Sequence, residues 1–402
     1  MTRKKSDVLK SIKKLERAKN IILTTGGTGG HIVPAMKIAS DLIKRGKTVY
    51  FITDKRFANY ESLFVKYPFF SSTNLKIFKT PITSFSSIKS PLKFLKNVII
   101  SLFITIYVFF KAKPKIVIGF GSYVSFLPLL ISVLTFRTTI LHEQNVVFGK
   151  VNKFFLRFAK AVLVSFPDFS YFSDKEYEII KDKILISGLP TFLPDKPSRM
   201  DSNQKVIYDV STKESIVILI TGGGQGATFF SHNIPPAIIS LAKHFPSKKF
   251  KIFHQVRKGE IEGVLKIYTK ANLPNLIFEI KPLFENIPKI LSEANFAIIR
   301  GGAASIVETA LSKVFPIIIP MPDSANNHQV KNASVLSRNN AAIMFMQKDY
   351  TPEKLFLIIS KALNEGLFYF PIINASSEIF KHNTSQIFAS VILQDDLKHL
   401  NI

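Results

Sequence analysis

The feature that most constrains the fold is a short apolar run that ends in a glycine-rich loop and is followed by helical periodicity. The first such unit has an apolar run at residues 20–25, glycines within 26–30, a helical pattern over 32–45 and a second apolar run at 48–52. A strand, a loop, a helix and a strand at this spacing form a βαβ unit, which requires a parallel sheet. We therefore predict an α/β fold.

The same unit occurs again in the middle of the chain and in its second half. Glycine-rich loops at 119–121 and 222–226 follow apolar runs at 116–118 and 216–220. Further apolar runs predict strands at 139–141, 161–164, 250–253, 277–280, 296–299 and 316–320. We expect two Rossmann-like doubly wound domains that face each other across a cleft, with ligands at the carboxyl ends of the strands.

A stretch rich in proline and polar residues separates the two sets of strands. It predicts a linker or insertion at 191–214, between an N-terminal domain at 20–190 and a C-terminal domain at 215–375. Residues 1–19 form a basic extension, and no signal peptide is expected because no apolar region with a cleavage site follows them. Residues 376–402 are expected to form a helical segment that packs back towards the N-terminal domain.

The charge of the chain is strongly positive and unevenly distributed. The 402 residues contain 54 Lys and Arg against 28 Asp and Glu, and residues 1–190 carry +20 of the net +26. Such an excess indicates an anionic partner, which is a nucleic acid, an anionic membrane surface or a phosphorylated substrate. The absence of cysteine excludes disulfides, thiolate metal sites and cysteine nucleophiles.

The glycine loops suit phosphate binding, because backbone N–H groups at a helix N-terminus attract anions. The sequence has no G-x-x-x-x-G-K-[ST] motif, which excludes a P-loop. The loop at 222–227 satisfies a loose dinucleotide fingerprint, but the acidic residue expected about 20 residues later is missing. A nicotinamide enzyme is therefore disfavoured, and the alternative for each loop is a simple tight turn.

Six segments together resemble the MurG family of bacterial glycosyltransferases. In family order they read TGGTGGH at 25–31, GFGSYVS at 119–125, LHEQN at 141–145, TGGGQGA at 221–227, RGGAASIVE at 300–308 and NHQVKN at 327–332. The resemblance implies the GT-B fold and an inverting transfer of GlcNAc from UDP-GlcNAc to the 4-hydroxyl of MurNAc in lipid I. The product would be lipid II, the precursor of peptidoglycan.

The resemblance also implies where the protein works and with what. The substrates are UDP-GlcNAc and the lipid I acceptor, and the location is the cytoplasmic face of the bacterial inner membrane, as a peripheral protein. Contacts with other cell-wall synthesis proteins are a further expectation. No cofactor and no protein-bound metal are expected, since no D-x-D motif is visible and amides and helix dipoles can stabilise a leaving diphosphate.

On the acceptor side, the expected site residues cluster at the first two glycine loops and the LHEQN segment. His31, at a predicted helix start, is the expected base or acceptor-positioning residue, because inverting transfer needs a proton acceptor for the attacking hydroxyl. Glu143 is the other candidate base, or the group that orients a histidine. Acceptor contacts are expected from Thr28, Gly29, Gly30, Tyr123, His142 and Asn145. A cap, a turn or simple packing is the alternative role for each.

On the donor side, the resemblance selects residues of the second domain. Glu308 matches the family carboxylate that binds the ribose hydroxyls, and Gln329 and Asn332 match contacts to the GlcNAc hydroxyls on one helix face. The other expected donor contacts are Gly223, Gly224, Gln225, Leu283, Ala303 and His328. Arg300 is expected either to supply positive charge or to form a structural ion pair.

The chain departs from the family pattern at two places. Residues 188–192 read GLPTF, where the family usually has Gly-Asn-Pro, a hydrophobic residue and Arg. Gly224 stands where the family commonly has Ser, which removes one hydroxyl contact. Both departures concern the affinity for the donor more than the class of reaction.

An apolar segment at 98–110 lies between lysines at 93 and 96 and lysines at 111, 113 and 115. A helix that spans a membrane needs about 18–20 apolar residues. We therefore predict that the chain does not span the membrane and that this segment is a helix lying among anionic lipid headgroups. A buried core helix is the alternative.

Two other functions remain open at this point. One is a different GT-B transferase with a lipid acceptor, such as a diacylglycerol glycosyltransferase. The other is a basic α/β protein that binds membranes without catalysis, although charge alone would need neither the glycine loops nor Glu308 and Gln329. No nucleic-acid partner is expected, because an RRM-like aromatic motif and a zinc finger are both missing.

Overall fold

The computed structural model describes residues 18–82, 90–193, 210–224, 226–365 and 370–380. These residues divide into two compact units between Thr191 and Phe192. The segments expected at 1–19, 191–214 and 376–402 lie mostly outside the described residues, so what was predicted for them stays a prediction.

The first unit is built on seven strands. They are β1 (Asn20–Thr24), β2 (Thr48–Asp54), β3 (Leu75–Thr80), β4 (Ile116–Gly119), β5 (Thr138–Glu143), β6 (Ala161–Val164) and β7 (Ile184–Ile186). Its helices are α1 (Gly29–Lys44), α2 (Ser62–Val65), α3 (Pro91–Ala112), α4 (Phe126–Leu134), α5 (Lys150–Phe155) and α6 (Asp174–Ile180). The strands pair in parallel in the order β3-β2-β1-β4-β5-β6-β7. The order reverses between β1 and β4, so the two glycine loops that follow these strands flank the place where open α/β sheets bind ligands.

The second unit repeats this plan with six strands. They are β8 (Ser215–Thr221), β9 (Lys249–Gln255), β10 (Leu276–Lys281), β11 (Phe296–Ile299), β12 (Phe315–Ile318) and β13 (Ile343–Met344). Its helices are α7 (Thr228–His244), α8 (Ile261–Ala271), α9 (Ile287–Glu293), α10 (Ala303–Leu311), α11 (His328–Arg338), α12 (Pro352–Asn364) and α13 (Phe370–Ile379). The order is β10-β9-β8-β11-β12-β13, with every pair parallel. The switch point lies between β8 and β11.

The central strands are continuous apolar runs because helices cover both faces of a parallel sheet. Ile21, Ile22 and Leu23 of β1 are all fully buried, as are all four residues of β11. The α/β prediction is confirmed in both units. The sequence did not predict β3, β7 and β13, because β3 interleaves lysine with apolar residues and the other two have only three and two residues.

Helix α3 is longer than the apolar segment from which it was predicted. It begins after Ser90, whose Oγ accepts a hydrogen bond from the Lys93 N–H at 3.4 Å, and it ends where Lys113 adopts a left-handed conformation. With 22 residues, α3 is long and apolar enough to cross a membrane by length and composition, and it is the only such helix among the described residues. The helix is longer than the predicted apolar segment of thirteen residues, because apolar residues continue on both sides of Lys93 and Lys96.

Candidate active site

The glycine loop after β1 is held by Asp54, a buried carboxylate at the end of β2. Oδ2 of Asp54 accepts hydrogen bonds from the Gly27 N–H at 3.3 Å, from Nε of Arg56 at 3.0 Å and from the Tyr123 hydroxyl at 2.8 Å. Gly27 has a φ of +91°, which side chains rarely adopt, so glycine is favoured there. The carboxylate therefore joins the first glycine loop to the second, in which Tyr123 lies.

Tyr123 is engaged in this cluster and is not a free side chain. The Arg56 guanidinium donates to its hydroxyl and lies 5.1 Å over its ring. Burial next to Asp54 raises the pKa of Tyr123, so the phenol stays protonated and donates to the carboxylate. The predicted acceptor contact stays a prediction. In the structure, Tyr123 links the two glycine loops through its hydrogen bond to Asp54. Sequence reasoning missed Asp54 and Arg56, although an Asp at the end of a strand was a visible signal.

His31 occupies the third position of α1, immediately after the glycine loop. Its Nδ1 lies 2.9 Å from the main-chain oxygen of Phe120 and 2.9 Å from Oε1 of Gln144. The ring is partly exposed, and its Nε2 has no hydrogen-bond partner within the described residues. Gly29 and Gly30 form the first helical turn, and the exposed Thr28 precedes it as the N-cap residue.

The LHEQN segment turns its polar side chains inward, which differs from the predicted roles. Glu143 is 1% exposed, and its two oxygens accept from the Asn145 and Gly149 N–H groups at 3.1 and 2.9 Å and from Nδ2 of Asn152 at 2.9 Å. His142 is 0% exposed. A sealed carboxylate that holds a turn does not suit a base, and a sealed imidazole does not reach an acceptor. Asn145 is the partly exposed member of the segment and also bonds Glu143.

In the second unit, Glu308 lies on α10 and is surrounded by protein while keeping some exposure to solvent. Its carboxylate makes no hydrogen bond or ion pair with any described residue. Burial raises its pKa to about 7. A carboxylate that is partly desolvated and has no partner among the described residues can accept hydrogen bonds from a ligand.

Asn332 is fully buried on α11, and its Nδ2 donates to the Gly301 oxygen at 3.0 Å. It therefore holds the loop before α10, which differs from the predicted contact with GlcNAc. Gln329 is partly exposed, and its Oε1 accepts from the Met321 N–H at 3.0 Å. The two residues lie on one helix as expected, but only Gln329 reaches the surface.

The remaining donor-side residues lie at the carboxyl ends of the strands of the second unit. Gly223 has a φ of +82° in the loop after β8, and Gly224 is exposed there. Leu283 follows β10 and is partly exposed, and Ala303 begins α10. His328 begins α11, where its Nδ1 lies 2.7 Å from the Ala325 oxygen. Gln225 lies outside the described residues, so its role stays a prediction.

Arg300 is a buried cation at the end of β11. Its Nη1 donates to the oxygens of Ile319 and Pro320 and to Oε1 of Gln347, at 2.9, 3.3 and 3.0 Å. Its guanidinium carbon lies 4.6 Å from the Phe230 ring centroid. Burial lowers its pKa to about 10, so it remains charged at neutral pH. Among the described residues its partners are neutral, so the ion pair considered above is absent there.

No group of three or more His, Asp or Glu side chains in the described residues is arranged to hold a metal ion. The prediction of a metal-free site stays a prediction.

Gly301 is the tightest glycine contact at this end of the sheet. A Cβ at Gly301 would lie 2.1 Å from the main-chain oxygen of Gln329, whereas a Cβ on the neighbouring Gly302 would meet nothing within 4 Å. We expect Gly301→Ala to push α11 away from α10 and to lower the free energy of unfolding by about 1–3 kcal/mol. Thermal unfolding measures this loss. Gly302→Ala is the matched control, and an equal loss in both variants would contradict the close approach.

Comparisons with known proteins agree with this architecture. The chain matches the Glycosyltransferase family 28 N-terminal domain over residues 21–164 and the Glycosyltransferase family 28 C-terminal domain over residues 217–387. It is similar to the crystal structure of MurG from Acinetobacter baumannii, with a TM-score of 0.69 and 26% identity over 94% of this chain and 100% of that one. A UDP-GlcNAc 2-epimerase from Neisseria meningitidis has a TM-score of 0.63 at 13% identity over 94% of this chain and 99% of its own, which shows the fold alone.

Two parallel sheets with glycine loops at their switch points, together with the matches to both domains of Glycosyltransferase family 28, define a GT-B glycosyltransferase. Two relatives carry the name UDP-N-acetylglucosamine–N-acetylmuramyl-(pentapeptide) pyrophosphoryl-undecaprenol N-acetylglucosamine transferase. The Rickettsia typhi protein is 33% identical over 360 residues, which cover 84% of this chain and 89% of its own. The protein of Wolbachia sp. subsp. Drosophila simulans is 32% identical over 374 residues, which cover 93% and 98%. The chain belongs to the MurG family.

Proposed function

We propose that the protein transfers GlcNAc from UDP-GlcNAc to the MurNAc 4-hydroxyl of lipid I, with inversion at the anomeric carbon, and so forms lipid II. The observation that carries the proposal is the 33% identity, over 84% of the chain, to a relative named for this transfer. The geometry of each unit supplies groups that such a reaction requires.

The second unit supplies the donor site in this proposal. Glu308 accepts hydrogen bonds from the two ribose hydroxyls of UDP-GlcNAc, for which its carboxylate is free. Gln329 and His328, both partly exposed at the start of α11, are the proposed contacts to the GlcNAc group. Backbone amides at 222–224 and at the start of α10 stabilise the diphosphate as it leaves, because helix N-termini favour negative charge.

The first unit supplies the acceptor site. The 4-hydroxyl of MurNAc gives its proton to Nε2 of His31 while its oxygen attacks C1 of GlcNAc. The bond between C1 and the diphosphate oxygen breaks on the opposite face, and UDP leaves with that electron pair. Thr28 and the amides of Gly29 and Gly30 precede His31 at the start of α1, and we assign them to the acceptor diphosphate, because a helix N-terminus favours an anion.

Helix α3 is the proposed membrane contact, because its large apolar side chains face solvent. The residues that it buries against the unit are Ser101, Thr105, Val108, Phe109 and Ala112. Its large exposed side chains are Leu92, Leu95, Ile99, Ile100, Phe103, Ile106, Tyr107 and Phe110. An ordinary surface helix has the opposite pattern. The packed face ties α3 to the sheet, so we propose that the helix lies in the interface and does not cross the bilayer.

This proposed membrane contact predicts a loss of vesicle binding. Changing Leu92, Phe103 and Phe110 together to Gln should weaken binding to anionic vesicles by at least about tenfold, because each buried apolar side chain contributes roughly 1.5–3 kcal/mol. Sedimentation with vesicles measures it. Leu357→Gln is the control, because Leu357 is an exposed leucine of the second unit.

A second variant separates charge from apolar contact. Changing Lys93, Lys96, Lys111 and Lys113 to Gln should weaken binding to anionic vesicles by roughly 1 kcal/mol per lysine and leave neutral vesicles unaffected. Unchanged binding of both variants to anionic vesicles would contradict docking through α3. The location on the cytoplasmic face of the inner membrane is proposed from the lipid-linked acceptor for which the relatives are named. Contacts with other cell-wall synthesis proteins stay a prediction.

The acceptor assignment is tested by competition between substrates. Radiolabelled UDP-GlcNAc is supplied with a lipid I analogue and with diacylglycerol, and unlabelled UDP-glucose competes as donor. We expect label in the lipid I product, little in diacylglycerol and little competition by UDP-glucose. Label in diacylglycerol alone would favour the other lipid glycosyltransferase, and no transfer by folded protein would overturn the proposal.

A further inference from the structure

A chain of hydrogen bonds runs from His31 into the interior of the first unit. Oε1 of Gln144 lies 2.9 Å from Nδ1 of His31, and Nε2 of Gln144 lies 3.1 Å from Nδ1 of His142. The chain has a main-chain oxygen at each end, that of Phe120 at 2.9 Å from Nδ1 of His31 and that of Gly188 at 3.3 Å from Nε2 of His142. Gln144 and His142 are fully buried, so neither touches a substrate.

The two main-chain oxygens fix the direction of every hydrogen bond between them. A carbonyl oxygen only accepts, so Nε2 of His142 carries a proton and donates to Gly188. Burial lowers the pKa of His142 to about 3, so the ring is neutral and its Nδ1 accepts. The Gln144 amide must then turn its NH₂ towards His142 and its oxygen towards His31, and Nδ1 of His31 donates to that oxygen and to Phe120.

We propose that Gln144 and His142 are positioning residues that hold His31 in the tautomer with its proton on Nδ1, which leaves the lone pair of Nε2 for the acceptor hydroxyl. This inference rests on the proposed function of His31 as base. When Nε2 takes the proton, an O–H bond breaks, an N–H bond forms and the ring becomes cationic. The oxygens of Gln144 and Phe120 keep both bonds to Nδ1 and stabilise the new charge. His142 neither gains nor loses a proton.

We call the His31–Gln144–His142 chain of hydrogen bonds the relay. Its inner end is a backbone atom, the main-chain oxygen of Gly188. Gly188 begins the GLPTF segment at which the sequence departs from its family, but only its main-chain oxygen takes part. Its φ of +68° favours glycine, and its main-chain oxygen lies 3.3 Å from Nε2 of His142. The relay therefore does not depend on the Asn and Arg that are missing after Gly188.

Two variants of His142 test the relay. His142→Asn keeps an acceptor oxygen close to the position of Nδ1, whereas His142→Leu removes the acceptor and frees the Gln144 amide to reverse. Nitrogen-15 NMR of the histidine rings reports which nitrogen of His31 is protonated, and the His31 signals are identified by their loss in His31→Gln. We expect a proton on Nδ1 in the wild type and in His142→Asn, and a mixture of tautomers in His142→Leu.

Kinetics supply the second readout. In His142→Leu, kcat should fall by about 10- to 100-fold, because a base displaced by about 1 Å loses up to roughly 10²-fold, while KM for UDP-GlcNAc stays within about twofold. His142→Asn should recover most of that loss. His254→Leu is the matched control, since His254 is a buried histidine of the second unit bonded to Tyr268 at 3.2 Å, and it should leave the His31 signals unchanged.

A wild-type His31 with its proton on Nε2 would overturn the relay, as would equal His31 spectra and equal kcat in His142→Leu and His142→Asn. The proposed function fails by a different result. Full kcat in His31→Gln would overturn the role of His31 as base, whatever tautomer the spectra show.

Discussion

Replacing His31 with glutamine should lower kcat by roughly 10²–10⁴-fold, which is what a general base contributes. Glutamine retains a polar atom near Nε2 but cannot take a proton at neutral pH. The affinity for the donor should change little, because His31 lies in the first unit and the proposed donor residues lie in the second. Steady-state kinetics with a lipid I analogue separate kcat from KM for UDP-GlcNAc.

His232→Gln is the control for this prediction, since His232 is an exposed histidine on α7. Thermal unfolding of both variants shows whether the fold is retained. A folded His31→Gln protein with the kcat of the wild type would mean that the proton goes elsewhere. A large rise in KM for UDP-GlcNAc with unchanged kcat would instead place His31 in donor binding.

Replacing Glu308 with glutamine should weaken the binding of UDP-GlcNAc by roughly ten- to a hundredfold. Hydrogen bonds to a charged group contribute about 1.5–3 kcal/mol, and a neutral amide accepts them less strongly. The maximal rate at saturating donor should fall much less, because Glu308 binds the ribose and not the reacting carbon. Calorimetric titration with UDP-GlcNAc measures the affinity, and Glu178→Gln, an exposed glutamate of α6, is the control.

The same carboxylate predicts how donor affinity depends on pH. Burial raises the pKa of Glu308 to about 7 in the free protein, and ribose hydroxyls donate more strongly to its ionised form than to the neutral acid. Affinity should therefore be fully present above pH 7 and should fall as the pH drops below 7, by up to about tenfold per pH unit. The diphosphate of UDP-GlcNAc does not titrate between pH 5 and 8. A flat profile in Glu308→Gln supports this account, and an equal slope in both proteins contradicts it.

The fold was predictable from the sequence because its strongest signal is local. A strand that ends in glycine and precedes a helix is written in consecutive residues, so β1, β4, β8 and the loops after them were found. Strands β3 and β7 lie at the two edges of the first sheet, where β3 interleaves lysine with apolar residues and β7 has only three residues. Periodicity does not distinguish such strands from loops.

The candidate site was predictable in composition but not in the direction of its side chains. His142 and Asn332 were identified as substrate contacts and Glu143 as a candidate base or orienting group, yet all three are buried and bond to neighbouring residues. A sequence motif shows which polar residues are present. It does not show whether a polar side chain faces a substrate or bonds to neighbouring residues, because both roles require polar groups. An Asp at the end of a strand was visible in the sequence, but its contact with Tyr123 joins residues 69 apart in the chain, and no local pattern predicts that contact. The outward apolar face of α3 was likewise visible only once its packing was known.

The structure of the lipid product tests the central claim most directly. Purified protein is incubated with UDP-GlcNAc and a lipid I analogue, and the product is examined by mass spectrometry and by the proton coupling of its new anomeric centre. We predict a lipid heavier by one GlcNAc, joined in the β configuration to the 4-hydroxyl of MurNAc. An unchanged lipid with hydrolysed UDP-GlcNAc, an α linkage, or GlcNAc on another hydroxyl would contradict the account.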